Sequence, residues 1–257
     1  AITSSGTITV AGETTAGVPF TGTLPADDAT ISNNMVITSG TMTTAKTYTF
    51  SGTLESPASQ LDTMTCAVDG DVSITDLDGT LGADLSATTS SSGTITITSD
   101  SNTDVTFTGK LPYDSATITP NFTTTRTDGL TMATGNTYTF SGTLTAPASE
   151  VTGMDCDVTG NVDISALADT SDLDEISSSG GTITVAGATT AFGGSLPTMA
   201  TTISNNMAIA SGTTPMTSGV TYTFSDELTA EAASVTGMTC TVTGNVSITD
   251  LDGTLGA

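Results

Sequence analysis

Residues 72–83 read VSITDLDGTLGA, and residues 246–257 read the same twelve letters. The offset is 246 − 72 = 174, or twice 87. Between them, Val162 and Ile164 stand where Val72 and Ile74 stand. Other landmarks recur in the same order, 84 to 90 residues apart. SSGTITV at Ser4 becomes SSGTITI at Ser91 and SGGTITV at Ser179. TYTFSGTL at Thr47 recurs at Thr137 and, as TYTFSDEL, at Thr221. The chain therefore divides into three repeats, 1–84, 85–176 and 177–257. Self-similarity at a fixed period is read before any other signal, because it decides architecture.

Within each repeat the apolar residues alternate with Thr and Ser. Ile8 and Val10 share one parity; so do Tyr48, Phe50 and Leu54, then Met64, Cys66 and Val68, then Val72 and Ile74. A period of two puts one set on a buried face and the other on an exposed one. Thr is β-branched, so the polar face also favours the extended chain. By count, 61 Thr and 29 Ser occupy that polar set. No stretch carries a helical period over ten residues. Val68-Asp-Gly-Asp-Val72 reads as a tight hairpin, as do Val158-Thr-Gly-Asn-Val162 and Val242-Thr-Gly-Asn-Val246.

Six or seven short strands in each repeat resemble the immunoglobulin-like β-sandwich, as found in tandem modules of microbial surface proteins and phage structural proteins. The resemblance is one of architecture. It implies an all-β chain of three tandem sandwich modules with antiparallel strands. The paired Cys and Trp of antibody domains are missing, since the chain has no Trp. A β-solenoid would need a repeat near one coil of about 20 residues. Only the longer period is visible, so the expectation is the sandwich.

Charge narrows the function. Three Lys and Arg against 27 Asp and Glu give 3 − 27 = −24, with no His. Nucleic-acid binding is excluded, because phosphate contacts need clustered cations. No apolar run of about 18 residues exists, so no membrane-spanning helix is expected. A triad or a zinc site would need His. Neither Lys46 nor Lys110 has a Ser three residues before it, so that dyad is absent too. The expectation is a protein without enzymatic activity.

Cys66, Cys156 and Cys240 occur once per repeat, each in Met-x-Cys-x-Val. Their parity makes them buried and unpaired core residues. Tyr48, Tyr138 and Tyr222 are read as core in the same way. Acidic residues gather near the repeat ends. Asp76, Asp78, Asp172, Asp174, Asp250 and Asp252 are the candidate ligands for calcium, a hard cation that takes carboxylate oxygens in turns. The plainer reading is a solvated acidic turn. No other cofactor is expected.

Near-absence of Lys and Arg leaves trypsin-like proteases only Lys46, Lys110 and Arg126. That composition, with abundant Thr, Gly, Ala and Asp, resembles microbial surface layers and appendages. The functional expectation is a self-assembling subunit of an extracellular filament or surface layer at the cell surface. The alternatives are a phage virion component, such as a head decoration on the capsid or a tail protein, and an adhesin fragment. The partner expected is a second copy of the chain, in a homo-oligomer or homopolymer. The end-to-end contact is expected between Leu251–Ala257 and the first strand near Ile8 and Val10.

Overall fold

The computed structural model describes residues 4, 7–11, 18–32, 34–40, 42–100, 104–126, 131–187 and 189–250. The chain divides into two units, Ala1–Thr139 and Phe140–Ala257. Both repeat boundaries read from the sequence fall inside a unit. Each unit is a parallel β-solenoid, so the expected immunoglobulin-like sandwiches are corrected. Every strand pairing given below is parallel, where a sandwich is built from antiparallel pairs.

In the first unit one wall stacks Ile8–Val10, Ala29–Ile31, Thr47–Phe50, Thr65–Val68 and Thr88–Ser90. A second wall stacks Val18–Phe20, Met35–Ile37, Leu54–Pro57, Val72–Thr75, Ile95–Ile97 and Ala116–Ile118. Val105–Phe107 and Phe122–Thr124 form a third. In the second unit one wall runs through Leu144–Pro147, Val162–Ser165, Ile183–Val185, Thr201–Ile203, Thr221–Phe224 and Thr239–Val242. Another runs through Thr189–Phe192, Met207–Ile209, Leu228–Glu231 and Val246–Thr249.

The three expected hairpins are corners instead. Thr65–Val68 and Val72–Thr75 lie on different walls and do not pair with each other. At that corner Asp69 N–H donates to Phe50 O at 2.8 Å and Gly70 N–H to Gly52 O at 3.1 Å. The turn therefore hydrogen-bonds to the coil before it and stacks on it. A hairpin turn would instead close on its own flanking strands.

The coil length explains why the solenoid period is hard to see. Facing residues are 17 apart at Val18 and Met35, 18 apart at Tyr48 and Cys66, and 23 apart at Val72 and Ile95. Corners absorb the variation while strand register is kept. The recurrence near 85 residues is thus a group of coils that is copied, and not a closed sandwich.

The coil that opens each later repeat has a further strand. Thr88–Ser90, Ile95–Ile97 and Val105–Phe107 join three different walls. Ile176–Ser178, Ile183–Val185 and Thr189–Phe192 do the same in the second unit. One-turn helices at Ala58–Leu61, Ala148–Val151 and Ala232–Val235 fill one corner in each repeat.

Inward residues form continuous ladders. Leu54, Val72, Ile95 and Ala116 stack on successive coils and are all buried. Tyr48, Phe50, Cys66 and Val68 do so on the neighbouring wall. Phe107 and Phe122 meet at a centroid distance of 5.8 Å with rings tilted by 45°. The alternation read from the sequence therefore holds, with the inward set facing the lumen of a coil.

Candidate assembly edge, threonine columns and acidic corners

The acidic residues proposed as calcium ligands occupy corners. Asp76 has φ 53° and precedes the 3-10 turn Leu77–Gly79. Asp250, at the same point of its repeat, has φ 55°. Asp and Asn tolerate this left-handed region better than other side chains. Asp100 N–H donates to Asp78 Oδ1 at 3.1 Å. Asp172 O accepts from Gly153 N–H at 2.8 Å. Burial and the neighbouring Asp172 carboxyl raise the Asp174 pKa. Asp252 lies outside the described residues. Among the described residues no three His, Cys, Asp or Glu side chains come together as a metal site. The structure thus brings Asp172 and Asp174 together, and shows Asp76, Asp78 and Asp250 as corner residues.

Both lysines are tied to aspartates. Lys46 Nζ lies 3.3 Å from Asp27, and Lys110 Nζ lies 2.8 Å from Asp84. The main-chain N–H of Ser4 and the Lys46 ammonium hold Asp27 below its ordinary pKa. Burial pushes Asp84 up, but hydrogen bonds from Lys110 and Ser86 outweigh it and hold the group low. Arg126 donates to Gly109 O at 3.0 Å. All three trypsin sites are thus engaged in local contacts.

The cysteines are unpaired. Cys66 and Cys156 are fully buried, and burial pushes their thiols up to about 12. Cys240 is half-buried, and burial raises it too. The difference has a plain cause. Cys66 is covered by Thr88 and Cys156 by Ile176. Thr239–Val242 pairs only with Thr221–Phe224 among the described residues.

The same contrast is sharper on the adjoining strand. Val72 and Val162 are 1% and 0% exposed, because Ile95 and Ile183 lie over them. Val246 occupies the same place in its repeat and is 54% exposed. Its strand, Val246–Thr249, pairs on one side with Leu228–Glu231. In the first unit, Ile8–Val10 pairs only with Ala29–Ile31 among the described residues. Sequence reasoning placed the contact at Leu251–Ala257, which lies outside the described residues. The signal that points to Val246–Thr249 is the identity of its sequence with Val72–Thr75.

Outward residues form threonine columns. Thr9, Thr30 and Thr49 are Cα partners on successive coils. In the second unit Thr184, Thr202, Thr223 and Thr241 are aligned likewise. A shallow groove on the first unit is lined by Thr7, Asp28, Ala29, Thr30, Thr47 and Thr49. No helix of the described residues is long and apolar enough to cross a membrane. No protein family, curated protein or solved structure matches this chain.

Proposed function

We propose that the chain is a non-enzymatic structural subunit that assembles with copies of itself into an extracellular filament or surface layer. The observation that carries this reading is Val246, 54% exposed in a strand whose two copies are covered. Uncovered edges of parallel sheets present rows of main-chain donors and acceptors and readily add another strand. A heterologous contact of that kind propagates when repeated. The tied lysines and the scarcity of cleavage sites suit a protein that stands outside the cell. Sedimentation and electron microscopy of the purified chain over a range of concentrations test it. Growth of polymers with concentration supports assembly. A monomer at every concentration and salt overturns it. Labelling with antibody on intact cells, against purified virus particles, separates the cell surface from the virion.

The threonine columns favour a second reading, binding to an ice or ordered-water surface. Adjacent strands are about 4.8 Å apart and alternate residues about 6.7 Å apart along a strand. Thr9, Thr30 and Thr49 therefore set methyl and hydroxyl groups at a regular spacing along one column, with the Asp28 carboxylate beside it. An ice-recrystallisation assay of the chain and of Thr49→Lys tests this. Equal ice growth with and without protein discards it.

A further inference from the structure

We infer that the strand Val246–Thr249 of one copy is covered by Ile8–Val10 of a second copy, with Val246 opposite Ile8, Ser247 opposite Thr9 and Ile248 opposite Val10. This rests on the assembly reading above and names its partner and register.

The joint already exists twice inside the chain. In the first unit Val72, Ser73 and Ile74 face Ile95, Thr96 and Ile97. In the second, Val162, Asp163 and Ile164 face Ile183, Thr184 and Val185. The upper strand comes from Gly-Thr-Ile-Thr-(Ile/Val) each time, at Gly93 and at Gly181, and the third copy of that string is Gly6–Val10. The lower strand follows Gly-(Asp/Asn)-Val each time, at Gly70 and Gly160, and the third copy is Gly244–Val246. Both halves of a third joint are therefore present, one near each end of the sequence.

The internal joints show what makes the fit. Val72 N–H donates to Thr94 O at 2.9 Å, and Val162 N–H to Thr182 O at 2.9 Å. Thr98 N–H donates to Ile74 O at 2.9 Å, and Ala186 N–H to Ile164 O at 2.7 Å. The side chain before each valine accepts from the facing threonine's N–H and hydroxyl. Thr94 N–H donates to Asp71 Oδ1 at 2.9 Å, and Thr182 N–H to Asn161 Oδ1 at 3.0 Å. Asn245 supplies that acceptor in the third copy, and Thr7 the donor. The glycines are required as well. A Cβ on Gly93 would stand 2.4 Å from Gly70 C, and one on Gly181 would stand 2.4 Å from Gly160 C. Gly6 and Gly244 keep this pair free of side chains.

The exposed faces also match in chemistry. Ile95 and Ile183 are each 1% exposed beneath their coils, whereas Ile8 is only half-buried. Joining Ile8 to Val246 removes both from water. Copies that each carry −24 repel one another, so the joint tightens as salt screens that charge.

The test is a pair of variants read on a non-reducing gel and by sedimentation. Ser247→Cys combined with Thr9→Cys should form disulfide-linked chains under mild oxidation. Neither single variant should. Val246→Lys, at an exposed site, should leave a folded monomer by circular dichroism and weaken assembly at least tenfold. If the unmodified chain polymerises but the double variant does not cross-link and Val246→Lys polymerises normally, the register is wrong while assembly stands. If the unmodified chain stays monomeric in high salt, both fall.

Discussion

The hydroxyl of Tyr138 donates to the main-chain oxygen of Pro112 at 2.8 Å and accepts from Ala133 N–H at 3.0 Å. The same pair of bonds joins Tyr48 to Pro25 and Thr43, and Tyr222 to Pro197 and Thr217. Each ring is fully buried, and each hydroxyl satisfies a buried proline oxygen and a part-buried main-chain N–H. Tyr138→Phe leaves both unmet while keeping the ring. The expected loss is about 1–3 kcal/mol, read as a lower urea midpoint at unchanged slope.

Thr63 has φ 61°, and its counterparts Gly153 and Gly237 have φ 66° and 75°. Thr63 N–H donates to Asp84 O at 2.9 Å, as Gly153 N–H does to Asp172 O at 2.8 Å. The corner is the same, and only the first repeat places a β-branched residue in it. A left-handed conformation costs such a residue roughly 1–2 kcal/mol, part of which glycine returns as unfolded-state entropy. Thr63→Gly is expected to stabilise by about 0.5–1 kcal/mol in thermal unfolding, and Gly153→Thr to do the reverse.

The thiols should report the coil that covers them. Cys66 and Cys156 are fully buried with thiols pushed up to about 12, and Cys240 is half-buried. A thiolate-directed reagent should label Cys240 first. The other two should react only under denaturing conditions. Equal rates for all three in the folded protein would contradict the burial pattern.

Asp84 and Asp174 respond to acid in opposite senses. Asp84 is held below its ordinary value in the folded chain, so its contribution is complete above the unfolded pKa, about 4. It is lost as pH falls through the folded value. Asp174 is raised, so its ionised form costs stability at neutral pH, and protonation relieves that cost. Asp84→Asn should therefore lower the melting temperature at pH 7 and flatten its fall toward pH 3. Asp174→Asn should raise it at pH 7, because repulsion from Asp172 is removed.

The inward and outward sets were legible in the sequence, because strands alternate with a period of two whatever they pair with. Tyr48, Phe50, Cys66 and Val68 are buried as their parity requires. Thr9 and Thr49 face outward for the same reason. The recurrence of VSITDLDGTLGA identified the copied unit. What parity leaves open is the partner of each strand. Val68-Asp-Gly-Asp-Val72 satisfies the spacing of a hairpin and of a corner equally, and its own residues do not choose. The choice comes from Gly52 and Phe50, one coil away, whose oxygens accept the turn's N–H groups. The 17 to 23 residues between facing strands blurred the coil period that would have revealed it. The assembly edge divides in the same way. The matching strings at Gly6 and Gly244 stand in the sequence. That Val246 is uncovered while Val72 and Val162 are sealed is decided by stacking, since only a neighbouring coil removes a strand's outer row from water.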